Sequence, residues 1–250
     1  MGALHEGHLS LVRLAKSESG FVVVSIFVNP LQFAPGEDFA RYPRREEEDT
    51  AALANDGADL VYVPVAADLY PSDFSTAVEV GGVSEGGEAA MRPGHFRGVA
   101  TVVAKLFHRV DPDVAVFGRK DLQQVAVVRR MIRDLDFPIR LVVGDTFREA
   151  DGLAMSSRNA YLSPGDRRLA AALPRALFGA RDAAARGERD AGAIVSRVRT
   201  ELEAGGLAVD YVEVVDPETM TAVTQAAAGT AVAAAVRIGS TRLIDNVLLP

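Results

Sequence analysis

His5 and His8 stand three residues apart with Gly7 between them, just ahead of a run in which Leu9, Leu11, Val12, Leu14 and Ala15 recur at helical spacing. That pattern puts His8 in or near the first turn of a helix. An opening helical turn carries unpaired N–H groups and a partial positive charge, which suits phosphate. Two imidazoles at this spacing can face one polyphosphate together. Zinc is the weaker reading, because the spacing is not the His-Glu-x-x-His of metalloproteases and the chain has no cysteine. A purely structural reading also stands, in which the two rings cap a surface turn.

Three further polar clusters follow. Asn29 and Gln32 come directly after an apolar run at 21–28, and Lys120, Asp121 and Gln124 directly after another at 113–117. Arg92, His95 and Arg97 fall in a glycine-rich stretch at 81–98, and Ser156, Ser157 and Arg158 in a polar stretch at 148–159 that lacks apolar periodicity. Lysine and arginine are phosphate partners, with arginine bidentate, and serine hydroxyls can complete a cradle. Ser-Ser-Arg alone reads more often as an exposed turn, and Asp121, in the first turn of a helix, at least as readily as a cap. His108 lies within a helical pattern and reads as structural. Known catalytic patterns are missing: there is no Gly-x-Ser-x-Gly elbow, no Gly-x-Gly-x-x-Gly and no P-loop.

The elements that must position these residues alternate. Strands are predicted at 21–28 (buried on both faces), 60–63, 113–117 and 139–143, with a short one at 77–80. Helices are predicted at 43–56, 99–110 and 125–135, and a mobile loop at 81–98. This order predicts an α/β, Rossmann-like, doubly wound parallel sheet, whose ligands bind outside the carboxyl ends of the strands. Asn29, Gln32, Lys120, Asp121 and Gln124 fall there. The histidine pair would obey the same rule only with a strand before Met1. Beyond a boundary near Thr146, a helix opening at Ser163-Pro164 (N-cap and first position), a second helix at 189–204 and strands at 209–215, 231–238 and 243–248 predict a smaller α+β domain. The expected division is 1–146 and 147–250.

The 250 residues are ample for a core, and the net charge of −7 argues against non-specific nucleic-acid binding. No apolar run has the length of a membrane span. Without cysteine there is neither disulfide nor thiol catalysis, compatible with a cytoplasmic setting.

Seven segments, taken in order, carry a resemblance. They are Met1-Gly-Ala-Leu-His-Glu-Gly-His8, Phe27-Val-Asn-Pro-Leu-Gln-Phe33, Arg41-Tyr-Pro43, His95-Phe-Arg-Gly-Val99, Phe117-Gly-Arg-Lys-Asp-Leu-Gln-Gln124, Arg148-Glu-Ala-Asp-Gly-Leu-Ala-Met-Ser-Ser-Arg-Asn159 and Ile238-Gly-Ser-Thr-Arg-Leu-Ile-Asp-Asn246. Together they resemble the pantothenate synthetase (pantoate–β-alanine ligase) family. His5-Glu-Gly-His8 is similar to the HIGH signature of the nucleotidyltransferase superfamily, and Met155-Ser-Ser-Arg158 to its KMSKS loop.

The resemblance implies an ATP-dependent, amide-forming ligase that makes pantoyl adenylate and pyrophosphate, then pantothenate and AMP on attack by β-alanine. It implies His5, His8 and Lys120 as catalytic. Gln32, Gln124, the Met1 backbone, Asn29, Arg92 and His95 would serve pantoate. Met1, His5, His8, Gly118, Lys120, Asp121, Met155, Ser156, Ser157 and Arg158 would serve ATP. Mg²⁺ would ride on the ATP phosphates with no protein metal site, in a cytoplasmic homodimer.

Two departures are visible. Arg119 stands where relatives usually carry an acidic residue, and the family has a further strand and a Pro-Thr pair before Met1. The expectation is therefore a sheet lacking its first strand and a native chain that begins upstream, testable by comparing melts and activity of the two lengths. Rival readings are another nucleotidyltransferase acting on a phosphorylated acceptor, and an inactive paralogue that only binds.

Overall fold

The computed structural model describes residues 2–34 and 36–250. The first part of the chain runs α1 (Glu6–Glu18), β1 (Val23–Ser25), α2 (Glu46–Asn55), β2 (Leu60–Tyr62), α3 (Ala66–Leu69), α4 (Gly87–Met91), α5 (His95–Val110), β3 (Val114–Gly118), α6 (Leu122–Asp134) and β4 (Arg140–Gly144). The second runs α7 (Pro164–Ala170), α8 (Ala172–Ala185), α9 (Ala191–Ala204), β5 (Ala208–Val215), β6 (Ala231–Ile238) and β7 (Thr241–Leu248).

β1 pairs with β2 and β3 with β4, both in parallel, so the α/β architecture is as expected. Among the described residues the two pairs are not joined, and each of these strands has one ladder partner. The predicted strand at 21–28 is shorter, with its ladder at Val23–Ser25 and flanking backbone bonds at Val22 and Ile26, and Phe21, outside it, is 63% exposed. Val22, Val24 and Ile26 are buried on one face while Val23 and Ser25 on the other are half-buried, so the expected burial on both faces is incomplete. No strand forms at 77–80, where the Val78 N–H donates to Thr101 Oγ1 at 3.0 Å instead of to a ladder. The stretch at 81–98 is not an open loop. It holds α4 and the start of α5, and buried Gln123 pins it by donating to the carbonyls of Val83 and Glu85 at 3.1 Å each. Gln123 also accepts from the Glu88 N–H at 3.0 Å.

The N-terminal core gathers Val99, Val103 and Phe107 of α5 with Val127, Val128 and Met131 of α6. α1 crosses β3 and β4 so closely that a Cβ at Gly144 would lie 2.4 Å from Leu11 Cδ2. A side chain there would push the Leu11 and Leu14 side chains aside, and glycine lets them pack directly on the strand. The α+β part packs α8 and α9 on an antiparallel sheet of order β5-β6-β7. Ser163 caps α7 through its hydroxyl, with Pro164 at the first position as predicted, but the helix breaks at Ala171 and α8 follows. No helix among the described residues is long and apolar enough to cross a membrane.

Candidate active site

α1 delivers the histidine pair. His5 is the residue before the first turn, and its carbonyl accepts from the N–H groups of His8 (2.7 Å) and Leu9 (3.1 Å). Its side chain makes no cap hydrogen bond, so the capping alternative for His5 does not hold. The rings of His5 and His8 lie 4.0 Å apart, and both Nδ1 atoms are buried without a hydrogen-bond partner. Buried polar atoms left unpaired are rare, and a bound ligand is one way to satisfy them. The start of the helix is held from α2, where buried Asp49 accepts the Leu4 N–H at 2.7 Å.

Burial, with Lys120 next in weight, lowers the His5 pKa, and burial with the neighbouring His5 lowers that of His8 to about 3. Both rings are neutral at pH 7 and able to donate or accept without adding charge. An unfolded histidine titrates near 6.5, so between that value and about 3 the unfolded chain binds a proton that folded His8 refuses. The stability this neutral ring permits is complete above pH 6.5 and falls as pH drops toward 3, by at most about 1.4 kcal/mol per pH unit. Denaturant melts at pH 7 and pH 5 should show this loss in the natural chain and a shallower loss in His8→Gln. Equal slopes would contradict the burial of His8.

The β3–α6 turn supplies the second group. Gly118 ends β3, and Lys120 Nζ lies 3.5 Å from Asp121 Oδ1. Asp121 occupies the N-cap position of α6 but makes no cap hydrogen bond, so the cap reading fails for its side chain. Burial opposes its charge, yet Lys120 holds its carboxyl below the usual range. Arg119 turns aside to Asp145, with Nη2 at 2.9 Å from Oδ1.

Asn29, Gln32, Arg92 and His95 form one network. Asn29, 2% exposed, receives the Tyr70 hydroxyl at 2.8 Å and donates to the Gly98 carbonyl at 3.1 Å and to Gln32 Oε1 at 3.3 Å. His95 Nδ1 lies 2.8 Å from the Gln32 carbonyl, and Arg92 Nη2 donates to the same oxygen at 3.2 Å. Burial and the Arg92 guanidinium lower the His95 pKa. Sequence reasoning missed Gly98: a Cβ there would sit 2.1 Å from the Leu31 carbonyl oxygen. α5 can meet the Asn29–Gln32 turn only through glycine.

A cleft between the two parts of the chain brings Arg92, His95, Lys120, Asp121 and Gln124 into one wall, facing Tyr211, Asp245 and Asn246. Ser156, Ser157 and Arg158 are not in that wall. The Ser157 hydroxyl lies 3.0 Å from Tyr42 Oη, Ser156 Oγ accepts the Arg158 N–H at 3.3 Å, and Arg158 forks onto Asp38 at 2.8 and 3.0 Å. Met155 is nonetheless beside the histidines, its Cβ 3.5 Å from where a Cβ on Gly7 would be. Met1 lies outside the described residues. His108 packs on the Phe137 ring at 5.2 Å, as a structural residue does.

The sequence matches the family described as Pantoate-beta-alanine ligase over residues 1–248. A pantothenate synthetase of Acidobacterium capsulatum is 55% identical over all of this chain and 84% of its own length. One of Moorella thermoacetica is 50% identical over all of this chain and 88% of its own. The crystal structure of pantothenate synthetase from Thermus thermophilus superposes with a TM-score of 0.96 at 49% identity, covering all of this chain and 91% of that one. Pantoate-beta-alanine ligase from Francisella tularensis, complexed with βγ-ATP and β-alanine, gives 0.83 at 32% identity over 99% and 87%. With the whole chain matched at this level, and with the histidine pair, the lysine turn and the amide network all in place, the chain belongs to the pantoate-beta-alanine ligase family.

Proposed function

We propose that this chain joins pantoate to β-alanine at the expense of ATP, through a pantoyl adenylate, releasing AMP and pyrophosphate. The observation that carries the reading is the site's composition: two neutral buried imidazoles and a lysine converge where neutral amides also lie, with no nucleophile beside them. Among the described residues no serine hydroxyl hydrogen-bonds a histidine, and cysteine is absent from the sequence. Chemistry without a protein nucleophile is what direct attack of a substrate carboxylate on a phosphate requires.

In this reading Gln32 and Gln124 fix the pantoate hydroxyl and carboxylate without neutralising the attacking oxygen. Asn29 and His95 hold the Gln32 turn, and Arg92 closes that side. The pantoate carboxylate forms a bond to the α-phosphorus as the bond to the β-phosphate oxygen breaks. His5, His8, Lys120 and the α1 N–H groups meet the charge that builds on the α-phosphate and the leaving pyrophosphate. The β-alanine amine then attacks the acyl carbon, AMP leaves, and the amine's proton is lost. Gly118 and Asp121 would flank the nucleoside, and the Met155–Arg158 segment would reach the phosphates once Arg158 leaves Asp38. Mg²⁺ supplies charge on the phosphates when bound. It would be carried by the nucleotide's phosphate oxygens.

The two largest apolar clusters, one around α5 and α6 and one around α8, α9 and β5–β7, support the division at 1–146 and 147–250, with a smaller cluster of Leu122, Val215, Ala231 and Ala233 packed across it. A cytoplasmic homodimer completes the proposal. The test is incubation with ATP, Mg²⁺, pantoate and β-alanine, with every product identified. Pantothenate, AMP and pyrophosphate in equal amounts are expected. A nucleotide-capped product, or ADP with phosphate, would refute the proposal.

A further inference from the structure

β7 carries two consecutive buried polar residues in the cleft wall, Asp245 and Asn246, 2% and 3% exposed. Polar groups this deep cost free energy unless they are bonded, and both are bonded outside their own sheet. Asn246 Nδ2 donates to the carbonyls of Arg119 and Lys120, at 3.0 Å each. A side-chain amide carries two N–H donors on one nitrogen, so it can clasp two successive carbonyls. Those carbonyls belong to the turn that presents Lys120. Asp245 takes Arg148 with both oxygens, at 2.7 and 2.9 Å. Arg148 in turn donates to the Gly152 carbonyl at 2.9 Å and to the Asn246 carbonyl at 3.1 Å. It opens the hairpin whose far side, Ala154, bridges back to it and leads into Met155 and Ser156.

We propose that Asp245 and Asn246 are a positioning pair, through which the C-terminal sheet sets the Lys120 turn and the Met155–Arg158 segment at a fixed distance from each other. Neither residue touches the reacting atoms. Each acts through another group, Asn246 through Lys120 and Asp245 through Arg148. The inference rests on the reading of those two segments as phosphate-facing.

The experiment uses the full chain with Asn246→Ala and with Asn246→Leu, which keeps the volume without the donors. Hydrogen–deuterium exchange should rise at least about tenfold at residues 118–122 in both variants, with β5 and β6 unchanged. kcat should fall and the KM for ATP rise, each about tenfold, with that for pantoate unchanged, whereas a partly unfolded population would lower only kcat. In a cycle with Lys120→Ala, the second substitution should add less than about threefold, because both act through one group. Unchanged exchange at 118–122, fully multiplying losses, or exchange raised across the whole β5–β7 sheet would each overturn the proposal. A natural chain without ligase activity would refute the proposed function, while the exchange pattern would still decide this inference.

Discussion

Lys120→Ala is expected to lower kcat by about 10²–10³-fold, the loss of roughly 2.7–4 kcal/mol that follows removal of one preorganised donor to a charged transition state. The KM for pantoate should stay within about threefold, because Lys120 sits beside Asp121 and not in the Asn29–Gln32 network. His8→Ala should act in the same sense. Its ring is buried and neutral, with Nδ1 unpaired, so the donor it offers to phosphate is not shared with another protein group. Steady-state kinetics with each substrate varied in turn separate the two effects. Near-normal turnover in either variant would remove that residue from the catalytic set.

Gly98→Ala should be nearly as damaging by a different route. The added methyl would meet the Leu31 carbonyl oxygen at 2.1 Å, its carbon at 2.4 Å and the Gln32 nitrogen at 2.8 Å, all backbone that cannot rotate away. The Asn29–Gln32 turn must then move off α5, breaking the Asn29 bond to the Gly98 carbonyl. Overpacking of this kind costs about 1–3 kcal/mol and sometimes more, and for a chain of this size each kcal/mol shifts Tm by roughly 2–4 °C. A melting temperature lower by several degrees and a pantoate KM raised at least about tenfold, with the ATP KM nearly unchanged, are the expected results. An alanine variant with natural stability and pantoate KM would show that the turn does not depend on this contact.

The site was legible in the sequence wherever function lies in residue type and in position after an apolar strand. Lys120, Gln124, Asn29 and Gln32 satisfy that condition, whereas His5 and His8 follow no described strand and stand out by residue type and by their spacing ahead of an apolar helical pattern. What escaped is set by contacts distant in sequence. Asp49 reaches Leu4 from 45 residues away, and Asn246 reaches Lys120 from 126. No local pattern signals either. Gln123 was overlooked beside Gln124 because adjacent amides look alike, although both line the cleft and Gln123 alone is spent on the Val83 and Glu85 carbonyls. Gly98 carries no signal until α5 is seen against the Leu31 carbonyl. Glu37 and Asp38, which hold Arg92 and Arg158, draw no reading from the sequence because their partners lie 55 and 120 residues away. Burial opposes the charge of both carboxyls, yet the two guanidiniums keep them below their usual range, so these pairs are ionised at neutral pH. In the proposed reading the arginines part from these carboxylates before they meet a substrate.

Exchange of labelled pyrophosphate into ATP, with pantoate present and β-alanine absent, tests the central claim most directly. In the proposed reading no acyl-enzyme forms, and the first half-reaction generates a freely reversible adenylate without the amine. Exchange that depends on pantoate and proceeds without β-alanine is the expected result. Exchange that appears only when β-alanine is added would contradict the two-step account.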